Sequence, residues 1–309
     1  MSRVDEALRR ARELAVAPSL GETPRHEAPI GRRDAHGMDL YPAEEALAVN
    51  PPTPRPEPLR PISVPRPAEA PAAAGVVSRR TGGAYEGKLV RGQDVSPASV
   101  EQYQRLAAAL HHLQCEQGLN RVMVSSAVPQ EGTTLTIVNL ALTLSSSYKR
   151  RVLLIDADLR RPSIHDVFAI ANDGGLYEAI HGEAAGQPRY TQVSPQLWVL
   201  PAGSPAGSPM ASLTSDRMSR FLDDMAKQFD WILLDAPPVA LMADAGMLVR
   251  LTRAVVLVIA AGATPYTVVE KVVGELGREH IVGVVLNRVD DEAAEWSPYY
   301  AGAPQQPQS

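Results

Sequence analysis

The chain has 309 residues, of which 45% are hydrophobic and 21% charged, enough to bury one sizeable core and still carry segments outside it. Its net charge of −5 and pI near 5.8 lack the basic excess of a dedicated nucleic-acid binder. The charged start, Met1-Ser2-Arg3-Val4-Asp5-Glu6, leads into no apolar signal region, and the longest apolar run, residues 254–261, is too short to cross a bilayer. The one cysteine, Cys115, excludes an internal disulfide, and helical spacing predicts that it is a small buried hydrophobe. These features predict a cytoplasmic protein that reaches the inner face of a membrane only through a partner.

Residues 1–15 read as a short amphipathic helix, with Val4, Ala7, Leu8, Ala11, Leu14 and Ala15 near one stripe. A helix that short is marginal alone in water, so a docking helix and a frayed solvated segment both fit the pattern. Residues 16–95 are rich in Pro, Ala, Arg and Glu, with a dense proline run at 51–71. Such composition predicts a disordered, extended linker: a plain spacer, or a ligand for a proline-binding module. The globular part, residues 96–290, starts with a helix near Ser99, where Ser99 and Gln102 offer a capping box. Strands are then expected at 121–125, 151–155, 197–200, 231–234, 254–260 and 281–286. Helices are expected at 134–148, in pieces over 163–181, and at 209–229, 242–251 and 264–278. Continuous apolar strands alternating with amphipathic helices predict an α/β fold, a mostly parallel sheet with helices on both faces. Residues 291–309 form a polar tail that contains the adjacent pair Tyr299 and Tyr300.

Three stretches carry chemistry, and all fall at the carboxyl ends of expected strands, where ligands sit on such sheets. The first is Ser125-Ser126-Ala127-Val128-Pro129-Gln130-Glu131-Gly132-Thr133-Thr134, between an apolar strand and a helix. Strand, tight loop and helix are the context of a phosphate-binding loop, with backbone N–H groups aimed at an anion. Against the Walker A pattern G-x-x-x-x-G-K-[ST], Ala127 stands at the first glycine and Thr133 at the lysine, so alone the loop also reads as an ordinary turn. Thr134 offers a hydroxyl where that pattern reaches Mg²⁺. The second stretch, residues 152–162, ends a strand in Asp156 and Asp158, followed by Arg160 and Arg161. The pleat sends the two carboxylates to one side if the strand continues that far, and two adjacent anions need a cation, either Mg²⁺ or the arginines. A structural Asp–Arg cluster is the other reading. The third, Trp231-Ile232-Leu233-Leu234-Asp235-Ala236-Pro237-Pro238, has the Walker B form, in which a buried strand delivers Asp235 to the sheet edge and two prolines forbid helix after it.

Taken in order, P-E-G-T-T, L-I-D-A-D-L-R-R-P, G-L-Y-E-A-I-H-G-E, L-P-A-G, L-D-A-P-P and V-L-N-R make residues 98–290 resemble the bacterial tyrosine kinases (BY-kinases). These are deviant Walker A P-loop ATPases, alongside the ParA and MinD relatives, and they serve capsule and exopolysaccharide synthesis. The resemblance implies ATP and Mg²⁺ as cofactors. It also implies that Gly132, Thr133 and Thr134 bind nucleotide, and that Thr134, Asp156 and Asp235 hold the metal. Asp156, Asp158 and Asp235 take the catalytic positions, Asn287 the adenine contact, and Tyr299 and Tyr300 become candidate phosphoacceptors. A membrane chain-length co-polymerase is the implied partner.

The chain departs from the family at several points. Gln130 replaces a loop glycine, and Thr133 cannot supply the lysine's charge between the β- and γ-phosphates. The family's ring-forming helix carries a Glu and two arginines spaced by three. Here Glu101 remains, but Gln104 and Ala107 stand at the arginine positions and Arg105 lies on another face, so a homo-oligomer would form with a degraded motif. Impaired phosphoryl transfer is therefore expected. The alternatives are an active tyrosine autokinase using another cation, such as Arg160 or Arg161, and a ParA/MinD-like positioning ATPase. The acidic pI and the absence of a basic C-terminal amphipathic helix count against the last.

Overall fold

The continuous apolar runs become the strands of one seven-stranded sheet in the order β3-β4-β2-β5-β1-β6-β7. The computed structural model describes residues 85–92, 95–181, 188–204, 213, 215–242 and 245–289; the expected N-terminal helix, most of the linker and the tail with Tyr299 and Tyr300 lie outside them. In chain order the strands are β1 (Arg121–Ser126), β2 (Val152–Asp156), β3 (Thr191–Ser194), β4 (Leu197–Leu200), β5 (Trp231–Asp235), β6 (Val255–Ala260) and β7 (Ile281–Asn287). All neighbours pair in parallel except β3, which pairs antiparallel with β4. Strand β3 was not expected: Thr-Gln-Val-Ser is a short polar edge without an apolar run.

The described helices are α1 (Pro97–Gln117), α2 (Thr133–Ser147), α3 (Ile164–Val167), α4 (Leu176–His181), α5 (Asp216–Ala226), α6 (Ala245–Thr252) and α7 (Tyr266–Leu276). Successive strand residues feed opposite faces. Val122, Val124, Leu154 and Leu233 pack with Leu110 of α1 and Ile137 and Leu140 of α2. Met123, Ile155, Ile232 and Leu234 pack with Phe221 of α5 and Val269 and Val272 of α7. Both faces are therefore covered, which is why the strands need no polar alternation. Helix α2 is buried all round from Thr136 to Ser145 and carries no charged side chain.

Several local expectations are corrected. Helix α1 is capped by Ser96, whose hydroxyl accepts from Ser99 N at 3.2 Å, with Pro97 at the first helical position. Cys115 is exposed, its Sγ 3.9 Å from His111 Nε2. Residues 85–92, expected as linker, are docked: Leu89 is buried beside α2. Asn139 of α2 accepts from Val90 N at 2.9 Å and donates to Lys88 O at 3.0 Å, so a buried amide takes the place of a strand partner.

Asn139→Ala would leave both backbone groups unpaired and lower the unfolding free energy by about 1–2 kcal/mol. A urea titration checks this; an unchanged midpoint would show that the strap contributes nothing to the fold.

Candidate functional site

The order β2-β5-β1 sets three strand ends side by side, and each ends in polar residues. Beyond Ser126 the chain turns through residues 127–132 and enters α2, with Gly132 as N-cap at φ 94. No side chain caps this helix, so its first N–H groups are open to an anion. A Cβ on Gly132 would lie 2.1 Å from Asn287 Nδ2, so only glycine fits.

The loop is fastened from beneath. Glu131 is buried; its Oε2 accepts from Val128 N at 2.8 Å, and its Oε1 accepts from Ala260 N at 2.9 Å and from the Thr264 hydroxyl. Asn287 Nδ2 donates to Glu131 O at 2.7 Å, and Ser125 Oγ donates to Pro237 O at 2.7 Å. Sequence reading passed over Glu131 because the partners of its Oε1 lie on β6 and beyond, far along the chain.

Asp156 and Asp235 are register partners on β2 and β5, both buried. Asp156 Oδ2 accepts from Ser163 N at 2.9 Å and Ile164 N at 3.0 Å, which anchors the start of α3. Thr134 Oγ1 lies 3.0 Å from Ser163 Oγ and also bonds the Asp235 carboxylate. Ser163 joins the site without having been expected there. Burial, reinforced by the Asp158 charge, pushes the Asp156 carboxyl up to about 7 against its backbone hydrogen bonds. Burial and the Asp156 charge push Asp235 well above the usual carboxylate range, against the Thr134 hydrogen bond.

Asp158 does not share the pleat of Asp156, because β2 stops at Asp156. It stands at the rim, with Oδ1 accepting from Arg160 N at 3.2 Å and Arg161 N at 3.1 Å. Both arginine side chains are exposed. The structure thus gathers Gly132, Thr133, Thr134, Asp156, Asp235 and Asn287 around one loop, and among the described residues brings no buried cation to them.

Two buried carboxylates that favour protonation, beside the Thr134 hydroxyl, fit a hard divalent cation such as Mg²⁺. Among the described residues no three His, Cys, Asp or Glu side chains form a metal cage, and Mg²⁺ needs none when phosphate oxygens and water complete its shell.

No family model matches the sequence. The chain is 30% identical over 191 residues to the tyrosine-protein kinase YwqD of Bacillus subtilis (strain 168), a match covering 60% of this chain and 80% of that protein. It is 32% identical over 200 residues to the succinoglycan biosynthesis transport protein ExoP of Rhizobium meliloti (strain 1021), covering 60% of this chain and 25% of that one. The chain therefore spans about a quarter of the length of ExoP and of another curated relative, a tyrosine-protein kinase of Acinetobacter johnsonii. Among solved structures, the kinase domain of VpsO aligns with a TM-score of 0.53 and 31% identity, over 62% of this chain and 97% of that one.

The raised carboxyls set a pH dependence. The folded state keeps protons that the unfolded chain releases near the ordinary value of 3.8, so their contribution to stability falls as pH rises through about 7. Metal-free protein should lose melting temperature as pH rises from about 4 to about 7, and Asp235→Asn should lessen the loss. Mg²⁺ should raise the melting temperature more at the higher pH. Melting curves with the same slope in wild type and variant would contradict this.

Proposed function

Because the chain belongs to the bacterial tyrosine kinase family, we propose that its strand-end site takes Mg-ATP and transfers the terminal phosphoryl group poorly. The observation that carries this reading is Thr133 at the first position of α2, short and uncharged, next to Thr134, whose hydroxyl bonds one of two buried carboxylates; among the described residues no basic side chain is buried with them. In this reading the open N–H groups of α2 and the loop hold the phosphates. Thr134, Asp156 and Asp235 hold Mg²⁺, which when bound supplies positive charge to the phosphate oxygens. Asn287 has its Nδ2 on the loop, and its Oδ1 is the atom that accepts from an adenine amino group. Asp158, at the rim, accepts the proton of an incoming tyrosine hydroxyl. Tyr299 and Tyr300 are the proposed acceptors.

Lack of one preorganised charge at the developing anion costs roughly 3–4 kcal/mol, about 10²–10³ in rate. Arg160 and Arg161 offer weak compensation, since their exposed side chains are not held over the site. Assembly is altered too. Glu101 is already paired in its own helix with Arg105 at 2.6 Å, rather than open to a neighbouring subunit. The biological setting we infer is regulation of exopolysaccharide or capsule synthesis and export through a membrane chain-length co-polymerase. The likeness to ExoP, a succinoglycan biosynthesis transport protein, supports that setting. No described helix is long and apolar enough to cross a membrane, so a partner would supply the membrane link.

Phosphotyrosine immunoblotting of purified protein with Mg-ATP tests the proposal. Wild type should give a faint signal, and Thr133→Lys should raise it by about tenfold or more. A robust wild-type signal abolished by Asp156→Ala and Asp235→Ala would reject impaired transfer.

A further inference from the structure

Among the described residues, the non-glycine positions with left-handed backbone are Gln130, Lys149, Ala169, Arg253 and Arg288. Lys149, Ala169 and Arg253 follow the ends of α2, α3 and α6, where a left-handed residue commonly terminates a helix. Gln130 (φ 67) and Arg288 (φ 59) follow no helix, and they touch: the Arg288 guanidinium donates to the Gln130 carbonyl oxygen. The neighbouring pair does the same, since Asn287 Nδ2 donates to the Glu131 carbonyl at 2.7 Å. The last residue of β7 and the one after it thus hold two consecutive carbonyls of the loop.

We propose that Arg288 is a positioning residue that keeps the phosphate loop in its anion-receiving shape, doing by a charged hydrogen bond what glycine at 130 would do by conformational freedom. In a trans peptide the C=O of one residue and the N–H of the next point in opposite directions. Drawing the Gln130 carbonyl toward β7 turns the Glu131 N–H away from β7, and drawing the Glu131 carbonyl does the same for the Gly132 N–H. These amides immediately precede the open N-terminus of α2, so the clamp aims them with it. A glutamine disfavours the left-handed state relative to glycine by roughly five- to thirtyfold, and a charge-assisted hydrogen bond is strong enough to offset that. Clusters of strained backbone of this kind persist where the surroundings over-determine them.

The inference rests on the phosphate-binding reading for what the amides receive, but the clamp itself can be read without nucleotide. The full chain is compared as wild type, Arg288→Ala, Gln130→Gly and the double variant. NMR relaxation of the Glu131 and Gly132 amides is measured first, without nucleotide. Arg288→Ala should loosen both amides in the glutamine background and leave them little changed in the glycine background. Fluorescent Mg-ADP titration should follow: affinity falls about fivefold or more in Arg288→Ala, and the double variant returns close to Gln130→Gly. Equal loosening in both backgrounds, or none in either, overturns the clamp whatever the titration gives. Amides that respond as expected in a protein that binds no nucleotide keep the clamp and reject the phosphate-binding reading instead.

Discussion

Two carboxylates side by side, sealed from water on adjacent strand ends, are the constraint around which the rest of the site is arranged. Asp156 and Asp235 face each other in register because β5 lies between β1 and β2. Burying one charge is costly, and burying two of the same sign is worse. The chain meets this in three partial ways: both carboxyls favour protonation, Asp156 takes backbone N–H donors from the start of α3, and Asp235 takes the Thr134 hydroxyl. None of these supplies a positive charge. An arrangement that leaves the deficit standing is what a site for a hard cation looks like from the protein's side.

The loop opposite is built with equal care and to the opposite polarity. Glu131 ties it to β6 and Asn287 ties it to β7, so its shape is fixed by strands that arrive far later in the chain. The helix behind it is buried all round and is further pinned by the strap at Lys88–Val90 through Asn139. What the loop presents forward is only partial charge, from N–H groups at a helix start. With Thr133 where the Walker A pattern carries lysine, a polyphosphate bound as proposed would have to bring the full positive charge with it. The proposed weakness in phosphoryl transfer follows from that division, not from any disorder in the frame.

Much of this was legible in the sequence, for reasons that can be named. Strands covered on both faces are continuous apolar runs, so β1, β2, β5 and β6 stand out, as does the apolar but half-buried edge β7, and the carboxylates that end β2 and β5 stand out with them. Strand β3 did not, since an edge that pairs on one side with half-exposed residues has no apolar signature. The cap at Ser96 was readable from Pro97 after it, a cue that Ser99 obscured. Cys115 lies five residues beyond the buried Leu110, about 140° round the helix, so its apolar character gave the wrong face. Glu131, Ser163 and Arg288 were invisible as site residues because each acts through contacts made only on folding; Arg288 meets Gln130 across 158 positions.

The most direct measurement of the central claim is nucleotide affinity as a function of divalent cation. A pocket with carboxylates and no resident ammonium should bind fluorescent ATP only when Mg²⁺ is present, with no measurable binding in EDTA. Binding of equal strength with and without Mg²⁺ would contradict it, because some positive side chain of the protein would then have to be meeting the phosphates.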